Sequence, residues 1–217
     1  MAWLTLSREN EKARRTTEDT KKSEAHEEQT AELRHGWQAR RAQRQTGRHG
    51  DAEDWGKVMS EIGRILDQMD RAFDGDAWHG PPLRPMLDGL SAEDASKHPI
   101  PGAHSIWELV HHITAWNTIM RDELGGASAQ ITPEVDWPPV WDATEVEWRR
   151  AVQNLIDAHG RLRKAAEQLR DDQLDERPSK RTNNSRYVML HGIVQHDLYH
   201  AGQIAVLKKA MRTASGK

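Results

Sequence analysis

The chain has 217 residues, a formal charge of −3 at pH 7 and no cysteine. That length holds one ordinary domain with extra material, and the near-balanced charge gives no electrostatic reason to expect nucleic acid or an anionic membrane as a partner. The missing thiols exclude disulfides, thiolate ligands, iron–sulfur clusters and a cysteine nucleophile, so any metal must sit on His, Asp or Glu.

No apolar run approaches the roughly 20 residues that span a bilayer, and the charged start lacks the apolar core of a signal peptide, so the expectation is a soluble cytoplasmic protein. Twelve His and nine Trp stand against two Tyr and one Phe, which raises the expectation of a metal.

Over residues 1–54 the larger aliphatics are Leu4, Leu6 and Leu33 alone, too little apolar surface to offset the entropy of folding. This stretch reads as a disordered or loosely helical charged segment, and the folded domain is expected over 55–213. Val58, Ile62, Ile65, Leu66, Met69 and Phe73 then recur at helical spacing and predict a first long helix. Gly75 and Gly80-Pro81-Pro82 end it. A shorter helical piece is expected over 83–90, followed by one further turn that Ser91 and Asp94 could cap.

Ser105 can cap a second long helix running to about Leu124, with Ile106, Leu109, Val110, Ile113, Trp116 and Met120 on one face and Gly125-Gly126 as its stop. The long loop that follows, holding Trp137 and Trp141 among prolines, is expected to be a packed lid. A third helix is predicted over 144–169, with Val146, Ala151, Leu155, Ala158, Leu162, Ala165 and Leu169 as its buried stripe. A fourth runs from about Ser185 to Met211. With no alternating strand pattern and no repeat, the fold class is all-α: a four-helix bundle of up-down helices with a long loop between the second and third.

On the fourth helix, an advance of about 100° per residue stacks His196 above His200 on one face. That face also holds Met189, Ile193, Ile204 and Leu207, so both imidazoles point into the bundle, where either a shared metal or separate hydrogen bonds would satisfy them. On the second helix, His112 lies about 100° from Ile113 and His111 about 160° from it, which makes His112 the inward candidate and His111 a surface residue. A third imidazole facing the pair would complete a His₃ set and leave a coordination position open, as in catalytic rather than structural sites. Neutral imidazoles suit Zn, Ni, Fe or Co. Asp197 falls in the apolar arc, either to orient a ligand imidazole or to pair with an arginine of a neighbouring helix. Glu108 and Tyr199 are placed on solvent-facing sides, and His79 and His104 in loops.

The run Ser105-Ile-Trp-Glu-Leu-Val-His-His112-Ile-Thr-Ala-Trp116, with His196-Asp-Leu-Tyr-His200-Ala-Gly-Gln-Ile204 after it, resembles the DinB/YfiT-like superfamily of metal-binding bundles. The likeness covers about Met59 to Met211. It implies that His112, His196 and His200 bind a divalent metal, and that the chain is a metal-dependent hydrolase or a transferase using a low-molecular-weight thiol. The family pattern usually has a single histidine where this chain has His111-His112.

The functional expectation is therefore a metal-dependent enzyme in which a His₃ site activates water or a small thiol toward a small-molecule substrate. Trp116, Trp137 and Trp141 either line an apolar pocket for that substrate or simply pack. The alternative is a non-catalytic metal-binding or stress-related bundle protein. A homodimer is also expected from the resemblance.

Overall fold

A computed structural model describes residues 59–127, 130–179 and 182–214, and every regular element among them is helical. The expected charged segment 1–54 lies outside the described residues, as does Val58. Six helices follow in order: α1 Glu61–Phe73, α2 Ala92–Ser96, α3 Ile106–Leu124, α4 Pro133–Asp136, α5 Glu145–Glu167 and α6 Arg186–Ala214. Short 3-10 turns cover Arg84–Leu87 and Asp171–Gln173. No helix among the described residues is long and apolar enough to cross a membrane.

Helix starts follow side-chain chemistry. Ser60, Ser91, Ser105, Thr132 and Thr144 each accept a bond from a backbone N–H in the first turn of α1 to α5, satisfying donors that have no partner inside the helix. At α3 the box closes both ways, because the Ser105 N–H donates to Glu108 Oε2 at 2.7 Å. Glu108 is therefore half-buried at the cap and not simply solvated. The start of α1 is also held from a distance, its Glu61 and Ile62 N–H groups donating to the Asp171 carboxylate at 2.9 and 3.0 Å.

Two expectations shift. The piece predicted over 83–90 is only a 3-10 turn, since Pro85 brings no N–H and the chain is extended at Asp88. On α5 the buried stripe starts at Trp148 and ends at Ala166; Val146 is 64 % exposed and Ala165 only half-buried. The Trp148 ring sets this phase by donating from Nε1 to Leu90 O at 2.8 Å, which turns the opposite side of the first turn to solvent.

Each long helix packs against two others, α1 and α3 both lying against α5 and α6. Their apolar faces form two clusters. One gathers Ile106, Trp107, Leu109, Ile113, Leu155 and Ile204; the other gathers Ile65, Met69, Met120, Leu162, Leu190 and Ile193. Between them along the helices sit buried polar residues: Asn117 between Ile113 and Met120, His159 between Leu155 and Leu162, and Asp197 between Ile193 and Ala201. His112 and His200 are buried beside this layer.

Candidate metal centre

Helix α3 carries His112, and α6 carries His196 and His200 one turn apart. Packing of α3 on α6 turns all three rings toward one point. His196 Nε2 lies 3.0 Å from His112 Nε2 and 3.1 Å from His200 Nε2. One donor atom from each ring falls within 4.8 Å of the other two.

The opposite ring nitrogens fix what those Nε2 atoms can be. His112 Nδ1–H donates to the carbonyl of Asp136 at 2.7 Å, and His200 Nδ1–H donates to Gln203 Oε1 at 2.6 Å. Both acceptors are oxygens without a proton to give, so in a neutral ring each Nε2 carries a lone pair. His196 Nδ1 lies 3.5 Å from Asp197 Oδ1. At most one hydrogen, on His196 Nε2, is then available to three converging nitrogens, whereas one cation satisfies all three. Nitrogens bound at 2.0–2.1 Å to a tetrahedral ion stand about 3.3 Å apart, close to the separations found here. The donor set fits a divalent metal, and the outward Nδ1 bonds are of the kind that orient ligand imidazoles.

Burial is uneven. His112 and His200 are 6 % and 5 % exposed, while the His196 side chain is 23 % exposed, so His196 is the member of the cluster that meets solvent. Burial pushes the His200 imidazole from its ordinary 6.5 down to about 4, against the pull of Gln203. Burial also lowers His112, against its bond to Asp136. Both rings are thus held neutral, the form that binds metal.

The loop between α3 and α5 closes over this point. Trp137 stacks on His112 with ring centroids 3.9 Å apart, and on its other face His104 stacks at 3.6 Å. Trp116 Nε1 donates to Asp136 Oδ1 at 2.7 Å, fixing the carbonyl that holds His112. Trp137 and Trp116 therefore serve the site from a half-buried position, whereas Trp141 is 90 % exposed and belongs to no packed lid.

The structure separates the His111-His112 doublet. His111 is half-buried rather than on the surface, and both its nitrogens are engaged: Nδ1–H donates to Pro138 O at 3.1 Å and Nε2 accepts from Trp107 Nε1 at 3.0 Å. Asp197 has neither of its expected settings in full. It accepts from Asn117 Nδ2 at 3.2 and 3.4 Å instead of pairing with an arginine, and its reach to His196 is long. Behind it, burial lowers the pKa of His159 against the attraction of Asp197. Tyr199 faces solvent as expected, and His79 is exposed and outside the cluster.

Three residues that build the surroundings had a usable sequence signal. Asn117 and His159 each interrupt an apolar stripe at the position a core residue would take, and Gln203 follows His200 by three on the same helix face. The contribution of Asp136 is a backbone carbonyl from a loop, which no side-chain pattern reveals.

A family model of the DinB superfamily matches residues 78–204, more than half of the sequence. The chain belongs to the DinB superfamily. No curated protein and no solved structure matches it. The span matched to the DinB superfamily contains all three clustered histidines, which could hold a metal ion.

Proposed function

We propose that this DinB-superfamily protein is a divalent-metal-dependent enzyme in which His112, His196 and His200 hold one ion, zinc, nickel, iron or similar. The observation that carries this reading is the convergence of three Nε2 atoms whose ring partners are turned outward to oxygen acceptors. When bound, such an ion supplies Lewis acidity that brings the pKa of a water or a low-molecular-weight thiol toward neutrality. Three protein donors are one fewer than a closed structural site uses, and the partial exposure of His196 is consistent with an exogenous fourth group.

The chain's own residues do the rest. Asp136 O and Gln203 Oε1 hold two imidazoles in the tautomer that presents Nε2, while Trp137 and Trp116 keep water from the buried side. With no cysteine present, a sulfur nucleophile must come from a small thiol. The reaction is accordingly hydrolysis or thiol S-transfer on a small molecule, without nucleic acid or membrane as partner. The reading extends to a four-helix bundle domain over 55–213 of the DinB/YfiT type, with up-down helices and the long loop between the second and third. It also includes a separate 1–54 segment, a homodimer and a cytoplasmic location.

One observation favours the non-catalytic alternative: neither of two cavities, of about 340 and 470 Å³, is lined by any of the three histidines. Cobalt decides between the readings. Cobalt-loaded protein titrated with a small thiol is expected to develop a sulfur-to-cobalt charge-transfer band, lost in His196→Ala. A cobalt spectrum that ignores thiol and pH alike would mean a closed site and would leave a metal-stabilised or metal-sensing bundle.

A further inference from the structure

Beside the metal centre, on the outer side of His200, lies the larger cavity, of about 470 Å³. One wall is the turn Ile100–His104; the other is the face of α6 bearing Tyr199, Gly202, Gln203 and Val206. Leu109 and Leu207, both buried, form its floor. Its size lies in the range of small-molecule pockets.

Two features say what it would take. First, no Asp, Glu, Lys or Arg lines it, and the Glu108 carboxylate lies 3.5 Å from Nδ1 of His104, one of its lining residues. A carboxylate entering this groove would lose hydration with no Lys or Arg in the lining to meet it and would sit near the Glu108 carboxylate. Second, Gln203 has a fixed orientation. Its Oε1 accepts from His200 Nδ1–H, so its NH₂ group points elsewhere and has no hydrogen-bond partner among the described residues. Binding of metal through His200 Nε2 keeps the hydrogen on Nδ1 and so holds the amide this way round.

We infer that the groove between the Ile100–His104 turn and α6 binds a neutral, mainly apolar carbonyl compound, whose oxygen accepts from the Gln203 NH₂ group while its body lies over Leu109 and Leu207. The site deepens the metal-enzyme reading, on which it rests for the amide orientation, by naming a substrate or effector class. Gln203 is a positioning residue linking the two, since it touches both groove and ligand imidazole.

Gly202 provides the test. A Cβ built there meets nothing within 4 Å, so the side chain of Gly202→Leu starts into open space on the groove wall and also improves helix propensity. Gln203→Glu keeps an oxygen toward His200 but removes the donor. The probes are acetophenone, neutral with one carbonyl, and benzoate, similar in shape but charged. Acetophenone is expected to shift the Gln203 side-chain amide NMR signal saturably in the wild-type protein, at least ten-fold more weakly in Gly202→Leu, whereas benzoate gives no saturable shift. Gln203→Glu is followed on backbone amides and should also lose binding.

Metal content is measured on every sample. Protein that stays metal-free after incubation with zinc or nickel yet binds acetophenone overturns the metal reading and leaves the groove standing. Metal-loaded protein that gives no saturable shift, that binds equally after Gly202→Leu, or that takes benzoate as well as the ketone overturns the groove. Sedimentation showing a dimer that Gly202→Leu disrupts would overturn it too, because a second copy would then be the occupant.

Discussion

Metal-free protein taken from pH 7 to pH 4 is expected to lose on the order of 3 kcal/mol of folding stability from His200 alone. Burial holds the folded ring at about 4 against an ordinary 6.5. A folded pKa below the unfolded one means that the unfolded chain takes up the proton first. The contribution is therefore fully present above the unfolded value and is lost as pH falls through the folded one. His112 and His159 are lowered in the same direction by the same cause and add to the loss. Urea denaturation at half-unit pH steps measures it, with His200→Gln expected to flatten the slope. A divalent ion at pH 7 should oppose the loss, adding about 4 kcal/mol at a thousand-fold excess over Kd, and the gain should shrink on acidification as protons compete for the imidazoles. Equal stability at pH 7 and pH 4 without metal would show that these rings are not held neutral by burial.

Trp107→Ala is the second large effect. The indole is 1 % exposed, packs against Trp148 with centroids 5.2 Å apart, and donates to His111 Nε2. Truncation leaves a cavity in the cluster that seats α3 on α5 and removes the donor that helps fix His111. The expected cost is about 3–5 kcal/mol, read as a lowered Tm. Because His112 is five residues further along α3, the same variant should also bind metal less tightly than wild type. A change below about 1 kcal/mol would mean that this end of the core relaxes around the gap.

How far the sequence discloses this molecule depends on the range of each interaction. The i, i+4 spacing of His196 and His200 and the angular offset of His112 from Ile113 are local facts, and helix geometry turns them directly into a shared face. Capping at Ser91, Ser105 and Thr144 is equally local. The phase of α5 was not readable in the same way: Val146 and Trp148 are both apolar, and only the distant Leu90 carbonyl selects which of them turns inward. The outer layer of the centre has the same character. Asp136 and Trp137 reach His112 because a loop closes back across more than twenty residues of chain, and loop closure leaves no periodic trace. His111 shows the limit of the helical wheel, which locates the helix's own core side but not a loop that covers its outer side.

On the proposed reading, three Nε2 atoms, from His112, His196 and His200, hold one divalent ion. Elemental analysis of purified protein beside the variants His111→Ala, His112→Ala, His196→Ala and His200→Ala measures it directly. About one ion per chain in the wild type and in His111→Ala, with loss in the other three, is the expected result. Protein that stays metal-free after incubation with zinc or nickel, or that keeps its ion in His196→Ala, would contradict it.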